Sequence, residues 1–478
     1  MKLSEYAEYD AIGLASLTKS GDVAPLDLVR LAREAHNEVN PLINAVIEFY
    51  EDAETVTGSN DGLFAGVPFL RKDVGATEAG RLQENGSRLF KGYRPETESY
   101  FFHRAREGGL RTIGRTTTPE FGTSGMSKSL LNGITGNPWE LSRSAGGSSA
   151  GAGAAVAAGI TPIAHGNDGG GSIRVPAAWC GLVGLNPSRG RISGGPNDQD
   201  GSFGMSRQFV VCRTVRDMAA ALDVFSGPYP GDPFIIIQPD RPYVEQLSQP
   251  TGKLRVGVAR SKWGAVDVDP EIMRAIETTA TLLEDMGHLV IDIEAPYEPT
   301  DYARILLGRT ILSAPSLEET ARAMGREICA DTLEPINLKI HEFCRNSQPY
   351  DARDLLEALR KMRFLVGEAI QGFDILLTPT MPFVAPPHGG IYCTTNPTLS
   401  AEEYLEADVA LYQFLGVFNV TGHPSVSLPL AQSADGLPIG IQIVGRFGDE
   451  ATLVRIARDL EEAMPWSHRR PPLRAGSS

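Results

Sequence analysis

The sequence predicts an α/β protein, a single domain built on a mixed central sheet. Three observations carry that expectation. Strand-like apolar runs and helix-period segments alternate from one end of the chain to the other, with no internal repeat and no linker long enough to divide it. Residues 254–258, a helix-period stretch over 270–286 stopped by Gly287, and residues 289–293 form a compact strand–helix–strand unit. The composition suits a packed core, with 42% hydrophobic and 22% charged residues in a chain of 478.

The elements follow in order. Residues 4–38 read as helices, with Leu26, Leu28, Val29 and Leu31 on an apolar face and Pro25 suited to a first turn. Residues 42–47 read as a strand, and residues 66–74 as a short strand that ends on charge. A helix over 99–109 stops at Gly108-Gly109, and residues 110–113 read as the next strand. Residues 149–159 are small and helix-compatible, so that helix can pack close to its neighbours, and residues 161–164 follow as a strand. Thr214 suits an N-cap, with Asp217 three residues on. Gly227 to Gly231 end that helix in a loop. Residues 300–372 are mostly helical and charged, fit to cap a pocket. Residues 373–379 return to a strand and 386–398 are a loop. Residues 425–429 and 439–444 read as strands paired around the turn Asp435-Gly436, and a last helix covers 449–463.

Charge and cysteine usage exclude whole classes. A net charge of −15 with no basic run argues against a nucleic-acid partner. Five scattered cysteines with no CxxC or Cys/His pairing indicate neither a disulfide framework nor a zinc site. The N-terminus lacks the basic-then-apolar pattern of a signal peptide, and the most apolar stretch, 150–164, is too short and glycine-studded to span a membrane. A cytoplasmic protein is expected.

The chemistry concentrates in residues 144–191. Two serine sites, each set among glycines, lie 24 positions apart: Ser148 in GGSSAG and Ser172 in NDGGGSIR. Hydroxyls in glycine-rich backbone suggest a nucleophile beside bare N–H donors, which suit an oxyanion. Three chemistries compete for them. A dinucleotide fold is excluded, because the nearest glycine pattern, 151–156, ends on Val156 and no acidic residue follows at the needed spacing. No GK[ST] tripeptide supports a phosphate loop. A nucleophile elbow is a fairer rival, since Gly147 to Gly151 fits GxSxG with Ser149 central and His423 downstream as base. Residues 137–143, however, make a poor preceding strand. The third option takes Lys72, at the end of the apolar run 67–70, as the base. Burial there lowers an amine's pKa and frees its lone pair to take a serine proton, directly or through a second serine. The alternative for Lys72 alone is a surface lysine or one paired with Asp73.

GGSSAG, the glycine/alanine run, NDGGGSIRVPA and CGLVGLNPS strongly resemble the amidase signature family, serine hydrolases of carbon–nitrogen bonds. The likeness continues in Gly66-Val67-Pro68 with Lys72-Asp73, in residues 117–122 and 136–139, and in residues 418–424 and 435–442, so it spans nearly the whole chain. The resemblance implies a single domain over 1–478 with a twisted sheet covered by helices on both faces. It implies Ser172 as nucleophile, Ser148 as a bridging serine after a cis bond from Gly147, and Lys72 as base. It places the oxyanion on the N–H groups of Gly169, Gly170, Gly171 and Ser172, and substrate contacts at Gly122, Thr123 and Gly147. No metal or organic cofactor is expected. The partner expected is a small amide, with a homodimer as a candidate assembly. The phrasing of HGNDGGGSIR is similar to bacterial amidases of the 6-aminohexanoate-cyclic-dimer hydrolase type, pointing to linear or cyclic amides, anilides or carbamates. The alternatives are the glutaminase subunit of a tRNA amidotransferase and an esterase using Ser149. The sequence departs from the family at Ala150, Gly169 and Asn186; Gly169 bears on the oxyanion loop and so on substrate range. Asp168 and Arg174 are expected to hold the loop as a buried pair. Tyr302, Ile305, Leu306 and Phe343 have the spacing of core residues, with pocket lining as the alternative.

Overall fold

The computed structural model describes residues 1–477, and the statements below refer to these. Eleven strands form one sheet. They are β1 (Val46–Phe49), β2 (Pro68–Lys72), β3 (Arg111–Thr116), β4 (Ile163–Asp168), β5 (Val183–Asn186), β6 (Arg207–Cys212), β7 (Arg255–Val258), β8 (Leu289–Asp292), β9 (Ile375–Pro379), β10 (Ser425–Gln432) and β11 (Pro438–Gly445). Their spatial order is β1-β3-β2-β4-β6-β5-β10-β11-β9-β7-β8. The sheet is mixed. β2 runs parallel to β3 and β4, and β7 parallel to β8 and β9, while β6 is antiparallel to β4 and β10 to β11. Helices flank it, and no helix is long and apolar enough to cross a membrane. All five cysteines are free.

Most elements lie where periodicity places them. Helix Pro25–Ile43 starts on Pro25 and buries Leu28, Val29, Ala32, Ala35 and Val39 at helical spacing. Thr214 caps helix Val215–Phe225 by accepting the Asp217 N–H. The strand expected at 110–113 runs to Thr116 and the one expected at 425–429 to Gln432, and three further departures have a local cause. The strand expected at 42–47 begins only at Val46, because helix Pro25–Ile43 runs on through Pro41 to Ile43. It ends on Asn44 in the left-handed conformation, and the Asn40 carbonyl oxygen of the side chain takes the N–H groups of Ala45 and Val46. The strand expected at 161–164 continues to Asp168, held by register with β6 from Cys212↔Ile163 to Arg207↔Asp168. Within residues 137–143, expected to make a poor strand, a short strand does form: Glu140–Ser144 pairs with Gly136–Asn137 as a small ribbon outside the main sheet.

The small-residue helix Ala150–Ala157 is buried along its whole length. Its smallness is a steric demand. A Cβ on Gly151 would lie 2.2 Å from the Ala45 carbonyl oxygen, and one on Gly153 would lie 2.8 Å from Pro176 Cβ. The helix packs against β4, β2 and β3, which sets the ends of those strands side by side. β2 and β4 are parallel neighbours, so Lys72 and Asp168 leave the sheet at the same edge, where open α/β sheets hold their sites.

Candidate active site

Lys72 is the last residue of β2 and is fully buried. Its Nζ lies 2.7 Å from Ser148 Oγ and 2.5 Å from Asn167 Oδ1. Burial pushes the amine pKa well below 10.5, against the attraction of the Asp168 carboxylate. The neighbours leave it that way. Asp73 turns to Arg115, at 2.7 Å, rather than to the lysine. The Lys72 N–H donates to His165 Nδ1, so the ring carries its proton on Nε2 and donates to Gln208. Burial brings the His165 pKa down to about 3, and the ring adds no charge behind the lysine.

Ser148 follows a cis bond from Gly147 and is nearly inaccessible. Gly147 is sterically enforced: a Cβ there would lie 2.3 Å from the Ser124 carbonyl oxygen. Its N–H donates to the Gly125 carbonyl at 2.7 Å. Gly122, at φ +68°, leaves room in front of Ser148, since a Cβ would approach Ser148 Oγ to 3.0 Å.

The loop after β4 is anchored from below. Arg174 Nη2 lies 2.9 Å from Asp168 Oδ1 and Arg174 Nε 2.9 Å from Oδ2, both side chains fully buried. Arg174 also donates to the Leu415 carbonyl and to Ser425, Gln442 and Asn419. The Asn419 amide returns to Asp168 and to the Met205 carbonyl. Burial favours the neutral acid, but the Arg174 guanidinium holds the Asp168 carboxyl below its usual range. Residues 418–424 and 435–442, remote in sequence, thus meet beneath the serine loop. Gly171 sits at φ +150°, and a Cβ there would lie 2.6 Å from Leu415 Cδ1. The N–H groups of Gly169, Gly170, Gly171 and Ser172 donate to no group among the described residues. Ser172 Oγ likewise makes no hydrogen bond there, while the Ser172 carbonyl accepts the Ser149 N–H.

Ser148, Asn167, Gly169, Gly170 and Ser172 open into one cavity of about 390 Å³. Gly122 and Thr123 line it; Gly147, expected to contact substrate, and Gly171, expected in the oxyanion loop, do not. Helices Pro299–Ala323, Pro335–Asn346 and Ala401–Leu411 supply the far wall. Tyr302 and Leu306, spaced like core residues, are both core and lining. Ile305 is core alone, and Phe343 does not reach the cavity. Sequence reasoning missed Asn167, although it lies inside the quoted motif, one residue before Asp168. It also missed Asp408 in the far wall, whose pKa burial raises to about 7 against the pull of Arg309. Ser149 is fully buried away from the cavity, its hydroxyl donating to the Asn167 carbonyl at 3.4 Å. His423 is hydrogen-bonded to Thr421, and burial lowers its pKa to about 4. No group of three or more His, Cys, Asp or Glu among the described residues is gathered to hold a metal.

Comparison with known proteins bears on what such a cavity does. The sequence model of the family described as Amidase matches residues 27–454. The chain is 37% identical over 481 residues to the 6-aminohexanoate-cyclic-dimer hydrolase of Paenarthrobacter ureafaciens, covering 97% of this chain and 96% of that protein. A solved structure of 6-aminohexanoate cyclic dimer hydrolase complexed with substrate superposes with a TM-score of 0.89 at 35% identity, covering 98% of this chain and 99% of that one. A bacterial aryl acylamidase of the amidase signature family superposes with a TM-score of 0.83 at 26% identity, covering 96% and 97%.

Proposed function

The chain belongs to the Amidase family, a hydrolase of amide bonds, and from that premise we propose that it cleaves linear or cyclic amides, anilides among them, through a Ser172–Ser148–Lys72 triad and an acyl-enzyme. One observation carries the reading: a buried amine, its pKa pushed well below 10.5 by burial, lies 2.7 Å from Ser148 Oγ, in the cavity into which Ser172 opens.

The steps follow from the groups present. Lys72 takes a proton from Ser148 as Ser148 takes one from Ser172, and Ser172 Oγ bonds to the amide carbon. The carbonyl oxygen becomes an oxyanion facing the uncommitted amides of residues 169–172. Each such donor is worth about 2.7–4 kcal/mol of barrier. The proton returns through Ser148 to the leaving nitrogen, the C–N bond breaks and the amine departs. Water then adds to the acyl carbon, giving its proton to the same relay, and Ser172 is released. The hydroxyl–hydroxyl contact the relay needs forms when substrate binds, as catalytic hydrogen bonds commonly do. Asp168 and Arg174 stay outside the chemistry and hold the loop. The helices within 300–372 act as the cap that selects substrate. The relatives' substrate names support a small amide, cyclic or linear, and the mixed polar and apolar lining suits one.

The test is a sulfonyl fluoride adduct located by peptide mass, with hydrolysis of an anilide and a cyclic amide measured in parallel. The adduct is expected on Ser172; an adduct on Ser149 would overturn the assignment.

A further inference from the structure

The lysine nitrogen has two close partners of different kinds. Ser148 Oγ, at 2.7 Å, can donate or accept; Asn167 Oδ1, at 2.5 Å, can only accept. A neutral primary amine offers two N–H donors and one lone pair. Contact with Oδ1 therefore commits an N–H in that direction and excludes the lone pair from it. Of the two partners only the Ser148 hydroxyl can then meet the lone pair. A four-carbon stem does not by itself settle how its terminal amine is turned.

Asn167 is well placed to settle it. It belongs to β4, opposite Gln208 of β6, and its carbonyl accepts the Ser149 hydroxyl. Its side chain also faces the cavity beside Ser148 and Ser172. The charged and titratable groups around the amine are few. Asp168, on the same strand as Asn167, draws it toward protonation and is itself matched by Arg174 of helix Arg174–Cys180. His165 of β4 is neutral. On β2 and its continuation, Arg71 turns to Tyr50 and Glu78, and Asp73 to Arg115 of β3. Asp408 titrates across the cavity. A carboxylate at position 167 would add an anion in contact with Nζ and hold it protonated. An amide orients the amine without that charge.

We propose that Asn167 is a positioning residue for the lysine base: its side-chain oxygen takes one amine N–H of Lys72 and so turns the lone pair toward the Ser148 hydroxyl. This rests on the triad reading above and adds to it a reason for an amide, rather than an acid or an apolar residue, at the strand end.

The two informative substitutions act on different parts of the pH profile. Asn167→Asp, nearly isosteric, raises the lysine pKa. The acid limb of kcat/KM moves to higher pH, with about a tenfold loss on its acid side per unit of that movement, recovered on the alkaline side. Asn167→Leu removes the acceptor. Its limb does not rise, and its alkaline plateau falls by about tenfold or more, the scale of a misoriented proton transfer. Asn167→Thr returns a small acceptor and restores part of what Leu loses; if Asn167→Asp does not fold, the Leu and Thr pair decides alone. The inference is overturned if the Asp variant keeps the wild-type limb or loses activity evenly at every pH, or if Leu keeps the wild-type plateau, or if Thr restores nothing. Lys72→Ala, run alongside, separates the two levels. Full activity there sinks the triad, whereas collapse there with unchanged Asn167 profiles sinks this inference only.

Discussion

At the serine end of the cavity, backbone sits against backbone, whereas the far wall is made of side chains facing space. A Cβ on Gly147 or Gly151 would lie 2.3 Å or 2.2 Å from a carbonyl oxygen, and one on Gly171 2.6 Å from Leu415. Beneath them Arg174 binds five separate partners. Across the cavity, Thr310, Ala314 and Leu317 are only half-buried, and Ser313 is exposed. The serine end has one arrangement because close packing forbids others. The wall tolerates change because little presses on it. On the proposed mechanism, reaction type and substrate range are therefore expected to reside in different parts of the molecule and to respond to different substitutions.

The sharpest break comes from the serine end. Ser172→Ala is expected to lower kcat on the order of 10⁶-fold with an unchanged melting temperature, read by anilide hydrolysis and calorimetry. Ser149→Ala, a residue off the cavity, should cost activity far less; equal losses would revive the elbow reading. Next in size is Arg174→Met, which leaves the Asp168 carboxylate buried without its cation. About 3–5 kcal/mol of stability should be lost, seen as a lower urea midpoint.

A third expectation concerns pH. The folded pKa of Lys72 is lowered below 10.5, so acidification protonates the base and kcat/KM falls on the acid side. The sign for stability follows from the same group. Between the lowered pKa and 10.5 the unfolded chain holds a proton the folded chain lacks, so stability contributed by this group rises with pH across that window. Lys72→Met removes that slope from urea titrations taken at several pH values. Asp408→Asn separates the far-wall carboxyl from the lysine limb, because only the Asp408 contribution, near pH 7, then disappears.

The smallest effect belongs to the wall. Ala314→Leu narrows the cavity and should shift kcat/KM between bulky and small amides by about tenfold, the scale of a few methylenes in a pocket. The acid limb and the rate on small amides should stay put. A changed limb would mean that the two ends are coupled.

What could be read before any coordinates differs between the same two regions. Around the serines, the residue types and their spacing already limit the chemistry: glycines that leave amides bare, a lysine closing an apolar run, and an Asp–Arg pair six residues apart. In the wall, helix spacing could not separate Tyr302 and Leu306 as lining from Ile305 as core, because one face serves both purposes. Asn167 was passed over because a polar residue at a strand end has many uses, and only the neighbouring strand supplies the lysine it touches.

By itself the sequence determined the alternation of elements, the α/β class and the chemical inventory of residues 144–191, since these depend on periodicity and on what each side chain can do. Tertiary structure alone decided strand limits such as Val46 and Asp168, which follow from the Asn40 cap and the β6 partner. It alone decided that Lys72, Ser148 and Asn167 meet, and which wall residues face the cavity. The physical reason is separation along the chain: contacts between residues 76 and 95 positions apart come from sheet order and close packing, which no local pattern encodes.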